Sequence, residues 1–240
     1  MKKLFVVTRG GIGDHFICTG IVNHLSETSI VNLACWQQWL PTLQSLYIDN
    51  PNVILHPVQD KLLGHFHDRN MKKQADNLES DYIGLALHTM DMKNYMRIPY
   101  NETKLSFEYM YTKFNLSKKV LDNQEFIDKI KPKNPYVLIN IWDKVGNKHM
   151  PNFQIENVNP DLEKLYLTPG KTKNLLDWAS IILGAEEIHS IAGGPCHLID
   201  IIYNGKLFYH DARIQSIFNI NNEFNNDKWQ KIKYMSKRVQ

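Results

Sequence analysis

The chain is poor in cysteine. Cys18, Cys35 and Cys196 stand far apart with no Cys-x-x-Cys spacing, which excludes a disulfide framework and a cysteine-rich zinc site and points to a reducing, cytoplasmic setting. No apolar run approaches the ~20 residues of a membrane-spanning helix. The first such run, after Lys2 and Lys3, stops at Thr8 and Arg9, too short for the core of a signal peptide. Excess charge is scarce as well. The 28 Lys and Arg against 25 Asp and Glu leave a formal net charge of +3, partly carried by Lys228, Lys231, Lys233, Lys237 and Arg238. That balance argues against a nucleic-acid partner and leaves room for anionic small ligands and peripheral membrane contact. What the chain does have is core-forming material, 43% hydrophobic and 11% aromatic over 240 residues, enough for one large or two small domains.

The most informative segment begins at Arg9. A buried strand, Leu4 to Thr8, runs into Gly10, Gly11 and Gly13, and the glycine turn delivers Asp14 to the start of an apolar helix. Glycines there let the main chain turn sharply and let another group approach it, and the helix start presents free N–H groups. Two familiar readings fail on spacing. A dinucleotide fingerprint needs a small residue where Phe16 stands, and a Walker A loop needs a Lys where Asp14 stands. Gly170-Lys171-Thr172 has Leu165 in place of the upstream glycine. The remaining alternatives for Asp14 are a helix cap and a reactive carboxylate.

Strands and helices alternate on both sides of a polar stretch. Strands are expected at Ser29 to Cys35, Asn52 to Val58 and Tyr82 to Leu87, with a helix from Trp36 to Tyr47 and a polar loop from Gly64 to Asn77 containing His65, His67 and Asp68. Leu105 to Leu116 reads as a helix, and Ser117 to Asn134 as the connection between domains 1–120 and 121–240. Beyond it, strands are expected at Tyr136 to Trp142, near Leu165, at Glu187 to Ile191 and at Lys206 to Tyr209. Helices are expected at Lys173 to Leu183 and Pro195 to Tyr203, and a tail helix at Asn225 to Lys237 with Trp229, Ile232 and Met235 on one face. This alternation predicts an α/β fold with two Rossmann-like domains facing across a cleft. In the second half, a strand again meets paired glycines and a helix. Pro195 suits the first helical turn, and N–H groups near Gly194 and Cys196 are placed for an anion.

At these two turns the chain resembles the GT-B glycosyltransferases of the heptosyltransferase type. Gly13-Asp14 with Thr19-Gly20-Ile21 is similar to the family's N-terminal signature, and Gly194-Pro195-Cys196-His197-Leu198 to its C-terminal one, where Gly193 replaces Ser/Thr and Ala192 an acid. The resemblance implies a transferase that moves a sugar from a nucleoside-diphosphate donor to a saccharide or glycolipid acceptor. In it Asp14 would act as general base, and Gly193, Gly194 and His197 would line the diphosphate. No Asp-x-Asp occurs in the chain, so neither a metal nor a separate cofactor is expected, and the leaving group would be met by the second helix start and by fixed cations. Lys144 and Lys148 are the candidates, or plain surface lysines; Glu187 is either a ribose ligand or a solvated strand-start acid. His197 faces either the phosphate or the core, His189 reads as a buried histidine, and Trp36 and Trp39 as packing. Two further readings stay open: a degenerate protein of this fold that binds nucleotide or glycan, favoured by Ala192, and an epimerase of sugar nucleotides.

Overall fold

The computed structural model describes residues 1–58, 67–85, 94–141, 155–168, 170–211 and 228–233. They form two parallel sheets. The first holds β1 (Lys2–Val7), β2 (Ser29–Trp36), β3 (Val53–Val58) and β4 (Asp81–Gly84) in the order β3-β2-β1-β4. The second holds β5 (Tyr136–Asn140), β6 (Glu163–Tyr166), β7 (Glu187–Ser190), β8 (Lys206–Asp211) and β9 (Trp229–Lys233) in the order β6-β5-β7-β8-β9. Every pairing is parallel. The two-domain α/β expectation therefore holds.

The central strands read as unbroken apolar runs because helices cover both faces. Phe5, Val6 and Val7 of β1 are all buried, as are Val137, Leu138 and Ile139 of β5. The first lobe carries α1 (Ile12–Ser26), α2 (Leu40–Leu46) and α3 (His67–Asn77). The expected helix from Trp36 to Tyr47 is split: Gln37–Trp39 form a 3-10 turn, and α2 follows with Pro41 in its first turn, where a missing N–H costs nothing. The segment read as a polar loop is α3 from His67 onward. Met71 and Ala75, one helical turn apart, seal the outer face of the sheet against Phe5, Val7, Ala34 and Val58. Only two apolar positions touch the sheet, so composition concealed the helix. His65 lies outside the described residues.

Between the sheets run α4 (Ile98–Thr103), α5 (Tyr109–Thr112), α6 (Lys118–Leu121) and α7 (Gln124–Ile130). The expected long helix at Leu105 to Leu116 reduces to α5, which lies so close to α1 that a Cβ on Gly20 would sit 2.1 Å from the Tyr109 carbonyl oxygen. The polar stretch after it is folded onto the second lobe. Phe126 packs edge-on against Trp178 at 5.4 Å, and Asn123 Nδ2 donates to Asp177 Oδ1 at 2.9 Å. The second lobe adds α8 (Ala179–Leu183), preceded by a 3-10 turn at Leu175–Trp178, and α9 (Gly194–Ile202). α1 and α9 pack against each other, and one apolar cluster runs through both, from Leu4 to Trp229.

The expected tail helix is corrected by the structure. Trp229 to Lys233 form β9, paired with β8 in the register Leu207 with Trp229. Residues 229 and 232 thus point to opposite sides of the sheet instead of sharing a helix face. Trp229 is held by the fully buried Asp200 of α9: its indole Nε1–H donates to Asp200 Oδ1 at 2.7 Å, while Tyr111 Oη–H donates to Oδ2 at 2.9 Å. Lys228, read from sequence as a tail charge, donates from Nζ to the Asp200 carbonyl at 3.0 Å and lies over the Tyr111 ring. Residues 225–227 and 234–237 of that expectation lie outside the described residues. Among the described residues, no helix is long and apolar enough to cross a membrane.

Buried histidines give the fold a pH signature. Burial lowers His15 and His197 to about 4 and His210 to about 3, against about 6.5 in the unfolded chain. The folded state then binds fewer protons than the unfolded one, so their contribution is complete above 6.5 and is lost as pH falls toward 4. Each group contributes about 1.4 kcal/mol per pH unit within its window. Asp14 has the opposite sign, raised to about 6, and offsets part of the loss. The melting temperature is expected to fall steadily from pH 6.5 to 4.5; a flat calorimetric profile over that range would contradict the burial of these rings.

Candidate functional site

Open parallel sheets bind ligands where neighbouring strands connect in opposite directions. In the first sheet that point lies between β1 and β4, and the chain leaving β1 there is the glycine turn. Gly10 adopts φ +93°, its N–H reaches Thr8 Oγ1 at 3.3 Å, and its carbonyl accepts the Trp39 indole N–H at 3.1 Å. Trp39, read as packing, thus also fixes the turn. Asp14 stands in the first turn of α1, and its Oδ2 accepts the Gly11 N–H at 3.0 Å. This bond is the acid half of a capping box. The capping role is therefore real, and it orients the carboxylate.

Asp14 also lines a small recess together with Arg9, Ile17, Cys18, Leu85, Tyr95 and Pro99. Removal from water is the largest influence on its carboxyl, and pushes the pKa up to about 6; Arg9 and backbone N–H groups pull the other way. A carboxylate so tuned is mostly ionised at neutral pH yet basic enough to take a proton. Arg9, Tyr95 and Leu85 were not singled out from sequence. Arg9 was visible inside the turn, whereas Tyr95 and Leu85 arrive from distant segments with no local motif.

In the second sheet the corresponding point lies between β5 and β7. Asn140 Nδ2 donates to Ser190 Oγ at 2.9 Å across it, and the chain leaving β7 enters the second glycine turn. Gly193 sits at φ +152°, and the Cys196 N–H donates to its carbonyl at 3.0 Å. The Cys196 thiol is buried, and burial raises its pKa. Lys144 and Lys148, the expected cations on the β5 side, lie outside the described residues.

The two turns meet. A Cβ on Gly194 would lie 2.5 Å from Ile12 Cγ2, and one on Gly13 would lie 2.6 Å from His197 Cδ2 and 3.3 Å from the Gly194 Cα. These glycines bring the starts of α1 and α9 together, so two helix N-termini, each a partial positive charge, converge beside Asp14. The His197 ring is buried with its Nε2 edge toward the first lobe, 2.5 Å from Tyr95 Oη. Burial keeps His197 neutral at pH 7, so the bond between Tyr95 Oη and Nε2 joins a hydroxyl to an uncharged ring. The resemblance implied that His197 faces the donor; this edge of the ring instead faces Tyr95 and Gly13.

Glu187 stands elsewhere. It occupies the opposite end of β7 from the turn, is buried, and accepts through Oε1 from the Asn159 N–H at 3.0 Å and from His189 Nε2 at 3.4 Å. His189 in turn bonds His210 at 2.7 Å. Glu187 therefore belongs to a buried polar chain and not to the residues that converge on Asp14. Among the described residues, no three His, Cys, Asp or Glu side chains are placed to hold a metal ion.

This arrangement of two parallel α/β lobes, with a glycine turn of each at their junction, defines a glycosyltransferase-like fold of the GT-B type. Among solved structures, the chain is similar to ADP-heptose LPS heptosyltransferase II of E. coli, at 12% identity and TM-score 0.57, covering 98% of this chain and 91% of that one. It is also similar to E. coli heptosyltransferase WaaC with ADP, at 9% identity and TM-score 0.50, covering 97% and 93%. At such identities the likeness is one of fold. No protein-family model matches the chain, and no curated protein matches it.

Proposed function

We propose that the protein is a glycosyltransferase that moves a sugar from a nucleoside-diphosphate donor to a saccharide or glycolipid acceptor, inverting and metal-independent. Residues 1–120 form the acceptor side and 121–240 the donor side. The observation that carries this reading is the position of Asp14, at the switch point of one sheet and next in the chain to Gly13, which packs against the helix start of the other. Asp14 takes the proton of the acceptor hydroxyl as that oxygen attacks the anomeric carbon. The bond from that carbon to the diphosphate breaks with its electron pair going to the leaving phosphate oxygen. The growing negative charge is met by the start of α9 at Gly193, Gly194 and Cys196 and by Lys144 and Lys148. The likeness to a heptosyltransferase with ADP supports a nucleoside diphosphate as the leaving group.

The test is a thermal-shift screen against ADP, GDP, CDP and UDP, with and without EDTA. A ligand at 100 times its dissociation constant raises stability by about 2.7 kcal/mol. A shift with one of them that chelator leaves unchanged is expected; binding that requires a divalent ion would overturn the metal-independent mechanism. A second reading, a protein of this fold that binds nucleotide without transfer, draws on the buried Ala192 at the head of the second turn. Binding without turnover on any acceptor would favour it.

A further inference from the structure

The wall of the Asp14 recess and the donor-side helix are joined through a single side chain. Tyr95 lines the recess with Arg9 and Asp14, and its hydroxyl reaches across the junction of the lobes to His197 in the first turn of α9. The two rings also pack edge to face at 5.8 Å, 78° apart. His197 in turn packs against Gly13, the residue before Asp14. The bond between the Tyr95 hydroxyl and Nε2, with the edge-to-face packing, holds the imidazole ring in one orientation.

We propose that Tyr95 is a positioning residue that couples the two half-sites: through His197 it sets the second glycine turn against Asp14, so a first-lobe residue controls nucleotide affinity on the second lobe. The proposal rests on the glycosyltransferase reading above. Its physical basis is that a shift of His197 is a shift of the first turn of α9, whose backbone begins at Gly194. Close packing on Gly13 leaves the ring little space to settle elsewhere.

The experiment measures ADP binding by calorimetry, with GDP, CDP and UDP as alternatives, on wild type, Tyr95→Phe, His197→Gln and the double variant. Tyr95→Phe keeps the ring and removes only the hydroxyl. It is expected to weaken binding of the preferred nucleotide about tenfold, and the double variant to bind no more weakly than His197→Gln alone, as for two residues acting as a unit. Tyr111→Phe removes another hydroxyl bond to α9, the one to Asp200. It is expected to lower the melting temperature without changing nucleotide affinity. If wild type binds a nucleotide and Tyr95→Phe binds it equally well, the coupling is refuted while the glycosyltransferase reading stands. Equal weakening in Tyr111→Phe also refutes it, because the effect then belongs to the lobe contact in general. If wild type binds none of the four, the functional reading falls and takes the coupling with it.

Discussion

Replacing Asp14 with Asn is expected to abolish about 10²–10⁴-fold of sugar transfer while leaving nucleotide affinity and fold in place. The two roles of this side chain separate cleanly in that variant. The bond from the Gly11 N–H to Oδ2 can be made equally by an amide oxygen, so the cap survives. The amide cannot take a proton from an acceptor hydroxyl, so the base does not. Wild type is further expected to lose kcat/KM on the acid side with a midpoint of about 6, where the half-buried carboxyl protonates, and the residual activity of Asp14→Asn to lack that limb. Stability has a definite sign too. A carboxyl whose folded pKa lies above the unfolded value destabilises the fold once ionised, so Asp14→Asn should melt no lower than wild type at pH 7. Transfer rate, nucleotide dissociation constant and melting temperature for the two proteins decide the matter. Near-normal transfer by the folded variant would reduce Asp14 to a helix cap.

The second large effect is expected at the contact of the two turns. Read from sequence alone, Gly194 admits a phosphate; in the structure it admits Ile12, just as Gly13 admits His197. The two roles differ in what alanine does. A glycine kept for a ligand would lose affinity on substitution without losing stability. A glycine kept for helix contact loses stability even without ligand, because the new methyl enters a filled space, typically at about 1–3 kcal/mol. For a chain of this size that is about 2–4 °C of melting temperature per kcal/mol. Gly13→Ala and Gly194→Ala should therefore each melt several degrees below wild type in nucleotide-free buffer, and the corresponding valines lower still. Unchanged melting with weakened nucleotide binding would restore the simpler role.

Much of this arrangement was legible in the chain. The turn from Arg9 to Asp14 and the turn from Gly193 to His197 were visible because glycine, acid and apolar helix leave a local pattern that needs no distant partner. Both lobes followed from strand and helix alternation. What escaped depended on tertiary contact. α3 hides in a polar segment because its apolar contact with the sheet rests on Met71 and Ala75. β9 was mistaken for a helix because Trp229, Ile232 and Met235 satisfy helical spacing, while the partner that decides the matter, Asp200, is 29 residues away. Tyr95 had no motif at all; it matters only because α9 brings His197 to it. Glu187 was read at the start of its strand, where the structure has it; what escaped was its burial against the Asn159 N–H and His189, contacts that leave no local pattern.

The buried Asp200 carboxylate also orders events in time. A carboxylate sealed from water without donors is too costly to tolerate, and one of its two donors, the Trp229 indole, is synthesised well after α9 itself. Until that indole arrives, α9 is best left loosely seated with Asp200 hydrated. Strands through β8 precede Trp229 in the chain, and Asp200, on the helix that carries the second turn, gains this donor when β9 adds to the sheet. Seating of α9 is thereby linked to β9, so a chain made only through β8 carries the first glycine turn against a helix whose buried carboxylate still lacks one of its donors.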